Sequence, residues 1–129
     1  MIKEHTIYVL DYDNSSRKGI ARLLHMAGFN TLSFSDALSF LDKLDPNSSG
    51  TLIMDLKIPE LLLEKLIKEL KCHGANCKII IISAHDDLVS KNIASDIGAI
   101  QFFRKPVDGT ALIDAINWSL KINNKKESL

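Results

Sequence analysis

Five short runs rich in β-branched and aliphatic residues recur along the chain, each followed by a longer stretch with helical spacing. The runs are Thr6–Leu10, Asn30–Phe34, Thr51–Met54, Lys78–Ile82 and Ile100–Phe103. No other feature constrains the fold as much as this fivefold strand–helix rhythm. The stretches "TLIM" and "KIIII" are almost continuously apolar, as strands are when helices cover both faces of a sheet. Alternation with short links requires crossovers between parallel strands, so the expected fold class is α/β: a single doubly wound (βα)5 domain with helices on both faces. A chain of 129 residues is long enough to bury such a core without disulfide or metal staples.

The helical stretches carry their own punctuation. Asn14 is expected to cap the first helix and Gly28 to end it, because glycine suits the left-handed residue after a helix. Its inward stripe is Ile20, Leu23, Leu24 and Ala27. Ser35 is the expected cap of the second helix, with Ala37, Leu38, Leu41 and Leu44 facing the core. "DPNSSG" makes a loop. Pro59 opens the third helix, where Leu63, Leu66, Ile67 and Leu70 are spaced for burial. Val89, Ile93 and Ile97 line the fourth, which Gly98 ends. The fifth runs from Thr110 to Ile122, so the domain is 1–122 and residues 123–129 read as a polar tail or linker stub.

Several function classes drop out. Sixteen basic residues balance sixteen acidic ones, so no overall field draws the domain to nucleic acid or to an anionic membrane. No apolar run approaches the roughly 18 residues a membrane span needs, and the N-terminus lacks the pattern of a signal peptide. Two cysteines without an export signal point to a reduced, cytoplasmic setting. Cys72, His73 and Cys77 lack both a fourth ligand and zinc-type spacing.

In open parallel sheets, ligands bind beyond the carboxyl ends of the strands. The residues at those ends are Asp11, Tyr12 and Asp13, then Ser35, Asp55 and Ser83, with Lys105 just past the fifth run. Two acids, a hydroxyl and a lysine on one edge suit phosphoryl chemistry with a divalent cation. The cation and the ammonium neutralise phosphoryl oxygens, while the hydroxyl donates to one of them.

Four segments, "IYVLDYDNSSRKGIARLL", "TLIMDLKIPE", "KIIIISAHDD" and "GAIQFFRKPVDGTALIDAI", resemble the receiver domain of two-component response regulators. The resemblance covers residues 4 to 122. It implies a five-stranded sheet in the order 2-1-3-4-5 and a phosphoryl group accepted from a sensor histidine kinase or phosphotransfer protein. By the same resemblance Asp55 is the phospho-acceptor and Ser83 binds a phosphoryl oxygen. Lys105 pairs with the same group, through a cis Lys105–Pro106 bond. Asp11, Asp55 and the backbone carbonyl of Lys57 would hold Mg2+, and Phe102 takes the place of the family's aromatic switch beside Ser83. The domain would be a regulatory phospho-acceptor rather than an enzyme with a separate substrate, and would not itself contact nucleic acid.

The chain departs from that pattern at Tyr12, where the family usually carries a second acid. Either Mg2+ binds more weakly, or Asp13 reaches inward to replace the lost ligand, or the site has turned into a phosphorylation-independent binding module. The Asp-x-Asp of "DYD" also resembles haloacid-dehalogenase-type phosphatases, but no acidic motif of that kind follows Lys105. A flavodoxin would need a phosphate loop after the first strand, and none is present. His85 stands two residues past Ser83, where it either overhangs the acceptor or is a solvated loop residue. In "PELLLEKL", Leu61 and Leu62 are surplus apolar residues near the site, read as part of a longer packed helix or as a contact surface. On the fifth helix Leu112, Ile113, Ile116 and Leu120 form one stripe, and Ala111, Ala115, Trp118 and Ile122 form a second, nearly opposite. That surplus stripe is the expected surface for a homodimer built from the fourth helix, fifth strand and fifth helix, as receivers often form.

Overall fold

The structure, a computed structural model, describes residues 5–45, 49–73 and 77–127, apart from the side chains of 72, 73 and 122–127. Among the described residues, five strands alternate with five helices: β1 (Thr6–Leu10), α1 (Asn14–Met26), β2 (Asn30–Phe34), α2 (Ala37–Lys43), β3 (Gly50–Asp55), α3 (Glu60–His73), β4 (Cys77–Ser83), α4 (Leu88–Ile97), β5 (Gln101–Arg104) and α5 (Gly109–Glu127). All pairings are parallel and the strand order is β2-β1-β3-β4-β5, as the resemblance implies.

The period-2 alternation of the strands sorts the core into two layers. On one face Tyr8, Leu10, Leu52, Met54, Ile79 and Ile81 pack against Ala37, Phe40, Leu66, Leu70, Ala94 and Ile97, which come from α2, α3 and α4. On the other face Ile7, Val9, Ile53, Ile80 and Ile82 meet Ile20, Leu24, Leu112 and Ile116 of α1 and α5. Ile79 to Ile82 thus feed both layers in turn, which is why "KIIII" needs no polar interruption. Each fully buried isoleucine of this kind contributes roughly 1.5–3 kcal/mol.

Several local expectations need correction. The cap of α1 is Asp13, not Asn14; its carboxylate accepts from the Ser16 N–H at 2.9 Å. The cap of α2 is Asp36, not Ser35, and it accepts from the Ser39 N–H at 2.8 Å. The inward residues of α2 are Ala37 and Phe40, while Leu38 is half exposed. A helix advances 100° per residue, so Leu38 lies opposite Phe40, and 37, 40, 41 and 44 form the proper stripe. In α1, Ala27 is exposed at the C-cap rather than buried. In α4, Val89 lies exposed in the first turn, and Ala94 and Ile97 are the buried residues. Gly28 and Gly98 end their helices with φ of 89° and 87°, the left-handed conformation expected.

The fifth helix runs past Ile122 to Glu127, so most of the segment read as a polar tail is helical backbone. Ser119, not Leu120, completes its buried face with Leu112 and Ile116. The 46–48 part of the "DPNSSG" loop, and the side chains of Cys72, His73 and Ile122, lie outside the described residues.

Candidate functional site

Three of the predicted residues are buried where neighbouring strands end. Asp11 directly follows β1, Asp55 is the last residue of β3, and Ser83 is the last of β4. Their exposures are 1%, 6% and 4%. Two buried carboxylates side by side would repel unless a cation lay between them, and Lys105 supplies one. It directly follows β5, and its Nζ donates to Asp55 Oδ2 at 2.6 Å and to Asp11 Oδ2 at 2.9 Å. Two oxygens touching one nitrogen can be no further apart than those distances laid end to end, so the acids form one cluster.

The second oxygen of each acid is also held. Asp11 Oδ1 accepts from the Asp13 N–H at 2.9 Å, and Asp55 Oδ1 accepts from the Lys57 N–H at 3.0 Å. For Lys105, burial pulls the ammonium down, but hydrogen bonds to Asp55 and Asp11 and their charges outweigh it and raise its pKa above the ordinary lysine value. The Lys105 N–H donates to the Ser83 carbonyl at 2.8 Å, fastening the lysine to the end of β4. The Lys105–Pro106 bond is cis. The Ser83 hydroxyl accepts from the His85 N–H at 3.1 Å, which ties the start of the β4–α4 loop to the end of the strand.

Among the described residues, two clefts open onto Asp55. One of about 550 Å³ is lined by Asp11, Tyr12, Asp13, Asp55, Lys57, Ile58 and Pro59. The other, about 290 Å³, holds Asp55, Ser83, His85 and Ser90 among its walls. Asp55 and Lys57 thus line both clefts. His85 is exposed at the rim of the smaller one.

The remaining candidates take other positions. Asp13 is exposed at the N-cap of α1, with one carboxylate oxygen on Ser16 and its own N–H on Asp11. The Ala37 N–H donates to the Tyr12 hydroxyl oxygen at 3.2 Å. Phe102 is half-buried against the α2–α3–α4 layer and lines a groove with Lys91, Ala94 and Ser95 of α4. Of the surplus stripe on α5, Ala115 packs against the α1–α5 core layer and Ala111 is half-buried, so the stripe is not opposite the core. Trp118 is 52% exposed and Leu61 81%. Leu62 packs in part against the core. Arg17 was not singled out by sequence. Its guanidinium donates to the Asp11 carbonyl at 3.0 Å and to Asn14 Oδ1, bracing the loop that carries Asp11. The i, i+3 spacing of Asn14 and Arg17 on α1 is the signal that could have found it.

A model of the response regulator receiver domain matches residues 7–117. The chain belongs to the response regulator receiver family. The receiver domain is similar to the transcriptional regulatory protein FixJ of Azorhizobium caulinodans, 32% identical over 88% of this chain and 54% of that protein. It is also similar to the response regulator protein TodT of Pseudomonas putida, 34% identical over 95% of this chain and 54% of that protein. Among solved structures, the response regulator StyR superposes with a TM-score of 0.83 at 34% identity, covering 97% of this chain and 63% of that one. The receiver domain thus spans about half the length of the curated relatives it matches. Among the described residues, no helix is long and apolar enough to cross a membrane.

Proposed function

We propose that this receiver domain accepts a phosphoryl group on Asp55. Receiver domains of two-component systems take that group from histidine kinases or phosphotransfer proteins, so the donor here is a phosphohistidine of such a partner. The observation that carries the reading is the Lys105 ammonium shared between Asp55 and Asp11 in a buried cluster open to two clefts. An Asp55 carboxylate oxygen attacks phosphorus, the P–N bond of the donor breaks, and the imidazole leaves with the bonding pair. Lys105 follows the charge onto the new phosphoryl oxygens, and the Ser83 hydroxyl turns to donate to one of them. Positioning and neutralisation, rather than a strong nucleophile, lower the barrier for this transfer.

The donor set fits Mg2+. Asp11, Asp55 and the Lys57 carbonyl offer only hard oxygens, and among the described residues no three His, Cys, Asp or Glu side chains gather as an alternative ligand set. When bound there, the cation would neutralise charge on the transferring group. Tyr12 is engaged by α2 and Asp13 by its own helix, so neither side chain supplies a further ligand in this arrangement. A weak cation site follows, and phosphorylation should require a high Mg2+ concentration.

Output is read through the groove between α4 and β5. Filling the site draws Ser83 inward, and Phe102 turns toward the space behind β4. The exposed Trp118 on the neighbouring α5 marks a homodimer or partner surface formed with α4 and β5. A cytoplasmic setting fits the free thiol of Cys77, which burial pushes up to about 12. Incubation with acetyl phosphate should add one phosphoryl group by intact mass, only with Mg2+, and Asp55→Asn should remove it. Labelling that survives Asp55→Asn would overturn the assignment. Sedimentation with and without beryllofluoride, on wild type and Trp118→Glu, tests the dimer separately.

A further inference from the structure

Tyr12 stands beside the buried acid Asp11 yet turns its hydroxyl away from the cluster. Its Oη accepts from the N–H of Ala37, the first residue of α2. That N–H is one of the four a helix leaves without an intrahelical acceptor. Asp36 satisfies a different one, on Ser39. The first turn of α2 therefore hangs from two side chains, one of them borrowed from the loop that carries the site. The Tyr12 ring is half-buried against the layer containing Ala37 and Phe40. Swinging it toward the acids would vacate that packing and leave the Ala37 donor unpaired.

The other end of the link is equally held. The Asp13 N–H donates to Asp11 Oδ1, and the Arg17 guanidinium donates to the Asp11 carbonyl. Tyr12 lies between these two anchors, so a change in the Asp11 carboxylate that releases the Asp13 N–H alters the backbone on which the Tyr12 ring is mounted. At the far end is a helix of only seven residues. Helices that short depend on tertiary contacts rather than on their own propensity. Movement of the ring is therefore felt where α2 is least able to resist it.

We infer that Tyr12 is a positioning residue that couples the acidic cluster to α2, so that filling the site is transmitted to that helix through the Tyr12–Ala37 hydrogen bond. The half-exposed Leu38 on α2 would shift with it, giving the domain a surface response on the side away from α4 and β5. The cation arm of this inference rests on the Mg2+ reading above; the link itself does not.

The test follows the backbone amides of Asp13 and Ala37 by NMR in the full chain, using Tyr12→Phe as the probe. That variant keeps the ring and its packing and removes only the hydroxyl. Exchange of the Ala37 amide should quicken about five-fold in Tyr12→Phe, as for one hydrogen bond of ordinary net strength; unchanged exchange would overturn the link. On Mg2+ titration, Asp13 and Ala37 should shift with one midpoint in wild type. In Tyr12→Phe the Asp13 response should persist and most of the Ala37 response should vanish. A full Ala37 response in Tyr12→Phe, or none in wild type while Asp13 responds, would overturn the coupling and leave the cation site standing. If neither amide responds to Mg2+, the cation reading fails, and Asp11→Asn decides the coupling. It should displace the Ala37 resonance in the wild-type background but not in Tyr12→Phe, and equal displacement in both would overturn the inference.

Discussion

The two ends of the central sheet each bury a polar cluster, and the clusters are built on opposite principles. At the carboxyl ends of the strands, the carboxylates of Asp11 and Asp55 share one cation, the Lys105 ammonium. At the other end, the His5 ring contacts Thr51 Oγ1 at 2.8 Å, and Thr51 Oγ1 contacts Ser119 Oγ at 3.0 Å. Ser119 in turn donates to the Ile116 carbonyl at 2.6 Å. A carbonyl can only accept, so this chain has one polarity: Ser119 donates to Ile116, Thr51 to Ser119, and His5 Nε2–H to Thr51. His5 Nδ1 is left to accept from Ser49 at 3.3 Å. Every donor is used once. The neutral chain is a closed clasp holding α5 to β3, whereas the charged cluster is satisfied by a cation that a ligand can displace or supplement. Binding chemistry belongs where the partners can be exchanged.

That contrast can be broken by experiment. Lys105→Met should cost about 3 kcal/mol at neutral pH, the lower end for removing one partner of a buried pair because the lysine is partly exposed, by leaving two neighbouring carboxylates without their cation. In thermal unfolding, Mg2+ should raise the midpoint of Lys105→Met by more than that of wild type; equal shifts would mean that ammonium and metal do not share the acids. Next in size, Tyr12→Asp should lower the Mg2+ concentration for half-maximal labelling by about ten-fold, as a restored ligand would. No change there would place the substituted side chain away from the cation.

Thr51→Val removes the middle of the neutral clasp at nearly constant volume. It should cost about 1–2 kcal/mol in urea unfolding. Labelling of Asp55 should be unaffected; a loss of labelling would mean that the two clusters are not independent. The smallest effect is on pH dependence. Burial lowers the pKa of His5, so the unfolded chain binds the proton more readily than the folded one. The stability this residue contributes is present above ~6.5, the ordinary histidine value, and is lost as pH falls through its lowered folded value. Urea midpoints between pH 7 and 5 should decline less in His5→Gln than in wild type.

The sequence showed the charged cluster more readily than the neutral one, for a physical reason. Asp11, Asp55, Ser83 and Lys105 each follow or end an apolar run, and parallel strands bring such ends together whatever the details of packing. Ser119 sits in an apolar helical stripe where a small hydroxyl reads as an outward residue, and Thr51 reads as an ordinary β-former. Only their contact across 68 positions of sequence explains their burial. The caps lie one residue from where the sequence suggests them because Asp13 and Asn14, like Ser35 and Asp36, are neighbours of similar capping strength. Where the chain leaves the preceding strand decides between them. Tyr12 was recognisable as a missing acid but not as a support for α2, since Ala37 lies 25 positions away.

On the proposed function, the exchangeable cluster serves Asp55 as a phosphoryl acceptor. Reductive trapping tests it most directly. Protein treated with acetyl phosphate and Mg2+ is reduced with borohydride, which converts an aspartyl phosphate to homoserine, and the modified residue is located by peptide mass spectrometry. Homoserine at position 55 alone is the predicted result. Homoserine at 11 or 13 with Asp55 intact, or no conversion anywhere at saturating Mg2+, would contradict it.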